Sequence, residues 1–157
     1  MSGVSQAAVE CLSKSLLGKE LGHEQLGILS GYMHPLAVAQ GDLLIREGDL
    51  DHRLFVVSAG KFEAVRPRGR TPVSYVQIGA GEIVGEVGFL DGLARTANVR
   101  ATAPSDVYAL PRVEFERLCD QHPKIACAVL RALLRSVHRV VSRLTDDNVD
   151  LVGYIYT

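Results

Sequence analysis

In the stretch IVGEVGFLDGLARTANVRA, residues 83–101, Glu86 follows Gly85 directly, and Arg95 arrives later with only Asp91 charged between them. The surroundings are glycine and apolar side chains. A charge removed from water costs on the order of several kcal/mol unless it finds a partner. Gly81, Gly85 and Gly88 permit close backbone approach and unusual dihedrals. A short helical turn, EVGFL, starting at Glu86 leaves its first N–H groups unpaired, and such a helix start favours an anion, phosphate above all. Arg95 can add a two-pronged, charge-assisted contact to the same phosphate. A carboxylate beside a phosphate is repelled, so Glu86 suits hydroxyl donors such as those of a ribose. Phosphate and ribose in one loop amount to a nucleotide. The competing reading is a Glu86–Arg95 salt bridge that merely closes the loop, and the residues alone leave both open.

Catalysis finds less support. A jelly-roll metalloenzyme of the cupin kind needs an HxH pair with a following Glu and a later His. The histidines are His23, His34, His52, His122 and His138, and none forms HxH. There is no G-x-S-x-G elbow, no Ser or Cys in an activating motif and no P-loop. The expectation is therefore no catalytic residue, no metal ligand and no cofactor: positioned donors without a base or metal bind and do not turn over. Cys11, Cys119 and Cys127 are odd in number and widely spaced, which argues against disulfides and structural zinc. Cys119 and Cys127 are expected as small buried apolar residues of helices.

With 157 residues, 47% hydrophobic, 22% charged and formal net charge -1, the chain has the composition of one soluble globular domain. That balance gives no basic field for nucleic acid or an anionic membrane. No apolar run approaches the roughly 20 residues that span a bilayer. The N-terminus lacks a basic leader with a long apolar core, and the expected location is the cytoplasm.

The elements that must position the loop divide into three textures. Residues 5–17 and HEQLGILSGY (23–32) carry helical spacing. From Met33 to Pro111 short β-branched segments alternate with glycine or proline turns: HPLAVA, DLLIRE, RLFVVSAG, KFEAVRP, PVSYVQI, TANVRAT and SDVYALP, with RPRGRTP as a polar hairpin loop. Strands at this spacing predict an antiparallel jelly-roll β-sandwich, mainly β, flanked by N-terminal helices and a long C-terminal helix. After Pro111, RVEFERLCDQH is helical, and 123–145 forms the longest helix. Its apolar residues Ala126, Leu130, Leu133, Val137, Val140 and Leu144 read as a heptad seam, with Ile125, Val129, Leu134 and Val141 off it. Two apolar faces call for two partners, the chain's own domain and the same helix of a second copy. Arg131, Arg135, Arg139 and Arg143 form a stripe whose default reading is a solvated face. The expected organisation is a helical segment over 1–30, the β core over 31–111, C-terminal helices over 112–145 and a tail over 146–157. The tail's apolar residues and tyrosines suggest docking but give it no place.

GEVGFLDGLARTANV resembles the phosphate-binding cassette of the cyclic nucleotide-binding domain family. Gly85 and Glu86 match the family's opening and Arg95, Thr96 and Ala97 its close. Upstream, GDLLIREGDLDHRLFVVSAGKFEA is similar to the family's strand–Gly-Asp–strand–Gly signature, with Gly48, Asp49 and Gly60 at tight turns. The resemblance covers roughly residues 20–145. It implies that Glu86 binds the ribose 2′-hydroxyl and Arg95 the cyclic phosphate, with Gly85, Val87, Thr96 and Ala97 completing a cradle of backbone N–H groups. It also implies a last helix that moves over the base when ligand binds. Ala94 stands where many members have proline and Gly88 where many have alanine; both changes are expected to loosen the loop. Thr96 leaves cAMP against cGMP open, and cAMP is the expected ligand. The alternative from another class is a non-binding dimerisation module on the same fold. The residues after Leu144 are too few for a helix-turn-helix, so the output is expected in an effector domain or partner protein outside this chain.

Overall fold

The structure is a computed structural model that describes residues 5–68 and 71–146. Helices α1 (Gln6–Lys14), a 3₁₀ turn (Leu16–Lys19) and α2 (His23–Ser30) precede the strands. Strands β1 (His34–Val38), β2 (Leu43–Ile45), β3 (Arg53–Ala59), β4 (Lys61–Arg68), β5 (Thr71–Gly79) and β6 (Ile83–Val84) follow. A short helix α3 (Glu86–Asp91) interrupts them before β7 (Asn98–Ala101) and β8 (Ser105–Pro111). Helices α4 (Arg112–Gln121) and α5 (Pro123–Asp146) complete the described chain.

Two four-stranded antiparallel sheets, in the orders β1-β8-β3-β6 and β2-β7-β4-β5, face each other as the expected jelly-roll sandwich. Strand β3 explains why its sequence is a continuous apolar run. Phe55 and Val57 join Phe62, Val99 and Ala109 between the sheets, while Leu54 and Val56 point the other way into a second core. That second core is built by the helices, with Leu12, Leu17, Leu29, Leu118, Val129 and Leu133. A strand buried on both faces has no reason to alternate polar and apolar residues.

Local chemistry sets the element boundaries. The Ser5 side chain accepts from Ala8 N at the start of α1, and Gln25 Oε1 accepts from Gly22 N at the start of α2. Gly60 links β3 to β4 at φ 96°. A Cβ there would stand 2.0 Å from Ser105 Oγ, so both conformation and space require glycine.

Three expectations are corrected. The two-residue strand β6 was not anticipated. Cys127 is exposed and Cys119 half-buried, because Cys127 faces away from the helical core. On α5 the heptad seam does not form one face. Ile125, Ala126, Val129, Ala132, Leu133 and Ser136 are buried, whereas Leu130 and Leu134 are 36% and 68% exposed. The domain-facing stripe includes small and polar residues, Ala132 and Ser136, that an apolar count passes over. Arg131 and Arg139 are exposed as expected, but Arg135 Nε lies 2.8 Å from Glu20 Oε1. The tail's suggested docking, Arg143's side chain and the tip of the RPRGRTP loop lie outside the described residues or side chains.

Candidate functional site

The site forms where β6 breaks into α3. Gly85 takes φ 85°, the left-handed conformation, and turns the chain directly into a helix starting at Glu86. Arg95 returns along the far side of the loop and is held by backbone on both sides. Its N donates to Asp49 O at 2.9 Å, and its O accepts from Gly48 N at 2.7 Å. The Gly48–Asp49 turn, φ 88° at Gly48, is thus the part that fixes Arg95.

Glu86 and Arg95 are almost wholly buried, at 7% and 2% exposure. No ion pair among the described residues joins them, so the closing salt bridge does not form. Arg95 Nη1 instead donates to Gly85 O at 2.8 Å and Nη2 to Arg53 O at 2.5 Å. Arg95 Nε is buried with no hydrogen-bond partner. Burial pushes the Arg95 pKa down, opposed by the negative charge of Asp51. Burial also works against ionising Asp51, yet its bonds to Arg53, at 2.9–3.2 Å, hold its pKa below the ordinary value.

Glu86 is pushed up to about 7, mainly by burial. Its own backbone N–H, a hydrogen bond with the Ser136 side chain and the charge of Arg95 pull the other way. Ser136 belongs to α5, so the long C-terminal helix reaches the acidic end of the site.

Glu86 and Arg95 line one cavity with Gly85, Val87 and Ala97. Ile45, Ala64, Ile78, Ile83, Val84 and Val99 supply its apolar walls from both sheets. Five of the six expected residues therefore meet. Thr96 is half-buried and does not line the cavity in this conformation. Gly88 sits inside α3 without a positive φ; its significance is contact with Arg95 rather than a turn. Sequence reasoning missed Arg53 and Ser136. Neither lies in the loop, and their contributions, a backbone carbonyl and a lone hydroxyl, leave no residue-type signal.

The cassette also touches the C-terminal helices. Phe89 of α3 packs edge-to-face on Phe115 of α4, ring centroids 5.1 Å apart. Arg112 Nη1 donates to Phe89 O and Leu90 O, each at 3.2 Å, covering carbonyls at the end of α3.

The cavity volume is about 40 Å³. Small-molecule sites measure roughly 300–1,000 Å³. A nucleotide enters only if the walls of this cavity yield. Among the described residues no cluster of His, Cys, Asp and Glu could hold a metal ion, and no helix is long and apolar enough to cross a membrane.

Residues 35–122 match the cyclic nucleotide-binding domain. An uncharacterised NTE family protein of Mycobacterium tuberculosis is 27% identical over 136 residues, 87% of this chain and 23% of that protein. The cAMP-dependent protein kinase regulatory subunit of Blastocladiella emersonii is 29% identical over 127 residues, 80% of this chain and 32% of that protein. The chain thus spans about a quarter to a third of these curated relatives. A cyclic nucleotide-binding domain from Methylobacillus flagellatus superposes with TM-score 0.79 at 25% identity, covering 90% of this chain and 83% of that one. The Thermus thermophilus catabolite activator protein superposes at 0.72 with 26% identity, covering 83% and 62%. The chain belongs to the cyclic nucleotide-binding domain family.

Proposed function

From that membership we propose that this chain is a cyclic nucleotide sensor whose ligand is cAMP in preference to cGMP, and whose C-terminal helix transmits binding. The observation that carries the proposal is Arg95. An arginine only 2% exposed, lining an apolar cavity and keeping its Nε without a partner, is a site for an anion. Arg95 takes the cyclic phosphate together with the N–H groups opening α3. Glu86 accepts from the ribose 2′-hydroxyl, and Gly85, Val87, Thr96 and Ala97 provide the surrounding backbone. The apolar walls accommodate the base.

Preference for cAMP is supported by the similarity to a kinase regulatory subunit named for cAMP. Transmission is supported by the three contacts between cassette and helices: Glu86 with Ser136, Phe89 with Phe115, and Arg112 with the end of α3. Movement of Glu86 or of α3 on binding reaches α4 and α5 through them. The nucleotide shifts the helix only by its differential affinity for the two arrangements. The chain acts without catalysis of its own, and its effector is a further domain or partner protein. Pairing of α5 with a second copy, through the exposed Leu130 and Leu134, is the associated assembly.

Titration calorimetry of the chain with cAMP and cGMP tests this, with Arg95→Ala as control. Loss of two charge-assisted hydrogen bonds, about 1.5–3 kcal/mol each, predicts at least about a hundredfold weaker cAMP binding in the variant. Equal binding by both chains, or heat with neither nucleotide, refutes the assignment. The second outcome restores the dimerisation module.

A further inference from the structure

Glycine is a poor helix former, and Gly88 lies in the middle of α3 with no positive φ to require it. What it provides is room. A Cβ at Gly88 would stand 2.7 Å from Arg95 Nη1 and 3.2 Å from Cδ and Cζ, and one at Gly85 would stand 2.9 Å from Nη1. The guanidinium is therefore seated close against the backbone of the cassette. From that seat Nη1 and Nη2 donate to Gly85 O and Arg53 O, the second at only 2.5 Å. Each terminal nitrogen thus commits one of its two N–H groups to a protein carbonyl, which holds the guanidinium back from the cavity.

We propose that Gly88 sets the affinity of the site: it lets the Arg95 guanidinium withdraw onto two backbone carbonyls, from which a nucleotide phosphate must draw it forward. This rests on the assignment of Arg95 to the phosphate. When only a fraction of molecules holds the competent arrangement, the apparent dissociation constant is the intrinsic one divided by that fraction. A methyl group at residue 88 collides with the withdrawn guanidinium and so disfavours that arrangement. Because the colliding atoms are the end of a flexible side chain, the fold can accept the substitution. Gly88→Ala therefore raises the competent fraction and tightens binding. Gly88 acts through Arg95 and is a positioning residue.

The test measures cAMP affinity by calorimetry for the wild-type chain and Gly88→Ala. It also measures hydrogen exchange of the Arg95 Nε–H by ¹⁵N NMR without nucleotide, assigned with Arg95→Lys. The expected result is cAMP binding at least about fivefold tighter in Gly88→Ala, the size of one hydrogen bond lost from the withdrawn state. Nε–H exchange should be at least about tenfold faster in the variant, as the buried donor leaves its seat. Wild-type binding of cAMP with neither change in the variant overturns the proposal. So does a Gly88→Ala chain that does not fold, since the guanidinium then cannot leave its seat. Faster exchange in the variant with no cyclic nucleotide binding by either chain separates the two ideas: the seat stands, and the nucleotide reading falls together with the affinity role.

Discussion

Replacing Glu86 by glutamine removes a titration while keeping shape and an acceptor for Ser136. Burial raises the Glu86 pKa from about 4.5 to about 7 in the folded chain. A carboxyl that binds its proton more tightly when folded favours folding most below the unfolded pKa. That advantage drains away as pH rises from about 4.5 to about 7, and above it the whole cost of a buried carboxylate remains. At about 1.4 kcal/mol per pH unit this amounts to a few kcal/mol, most of it lost between pH 5 and pH 8. Glutamine carries no such dependence. The stability of Glu86→Gln relative to wild type should therefore rise by roughly 2–3 kcal/mol from pH 5 to pH 8. Urea denaturation of both chains at pH 5, 6, 7 and 8 reads this as a relative midpoint shift of about 1–2 M for an ordinary m-value. Titrations common to both chains cancel in the difference. A relative stability that stays flat across this range refutes a buried, neutral-leaning Glu86. A fall with rising pH would mean that the carboxylate is stabilised by the fold.

Three further outcomes follow from the same geometry. If ribose hydroxyls donate to Glu86, cAMP binding at pH 7 should release a fraction of a proton, on the order of half, because hydroxyl donors favour the ionised carboxyl. Calorimetry in buffers of different ionisation enthalpy measures it, and Glu86→Gln should show none. Gly60→Ala should destabilise the fold by several kcal/mol, since it combines a strained φ with overpacking against Ser105; urea denaturation checks it. Phe115→Leu keeps apolar bulk but removes the edge-to-face contact with Phe89, at a cost of about 0.5–1.5 kcal/mol in thermal unfolding.

Much of this was legible in the residues because the information was local. Seven strands announced themselves by β-branched runs between glycine and proline turns, whereas β6 at two residues, Ile83–Val84, is too short to show any period. Glu86 and Arg95 stood out because isolated charges in apolar sequence demand an account. What holds them was not legible. Arg95 is fixed by the Gly48–Asp49 turn and by a carbonyl of Arg53, contacts across more than forty residues that any side chain could supply from its backbone. Gly88 looked like loosened loop chemistry, yet it is the floor under a guanidinium. On α5 the heptad count grouped Leu130 with Ala126 and Leu133, but burial follows a broader stripe ending at Ser136. A serine on the inward face carries no hydrophobic signal, and so the contact between helix and cassette was hidden.

The most direct test of the central claim is a crystal structure of the chain grown with cAMP. The account predicts one nucleotide in the sandwich cavity, its phosphate oxygens within hydrogen-bond distance of the Arg95 guanidinium and its ribose 2′-hydroxyl on Glu86. Arg95 should be drawn away from Gly85 O and Arg53 O, and the Ser136 contact with Glu86 altered. A cavity without nucleotide at saturating cAMP, or a nucleotide bound with Arg95 still on both carbonyls and its phosphate elsewhere, would contradict it.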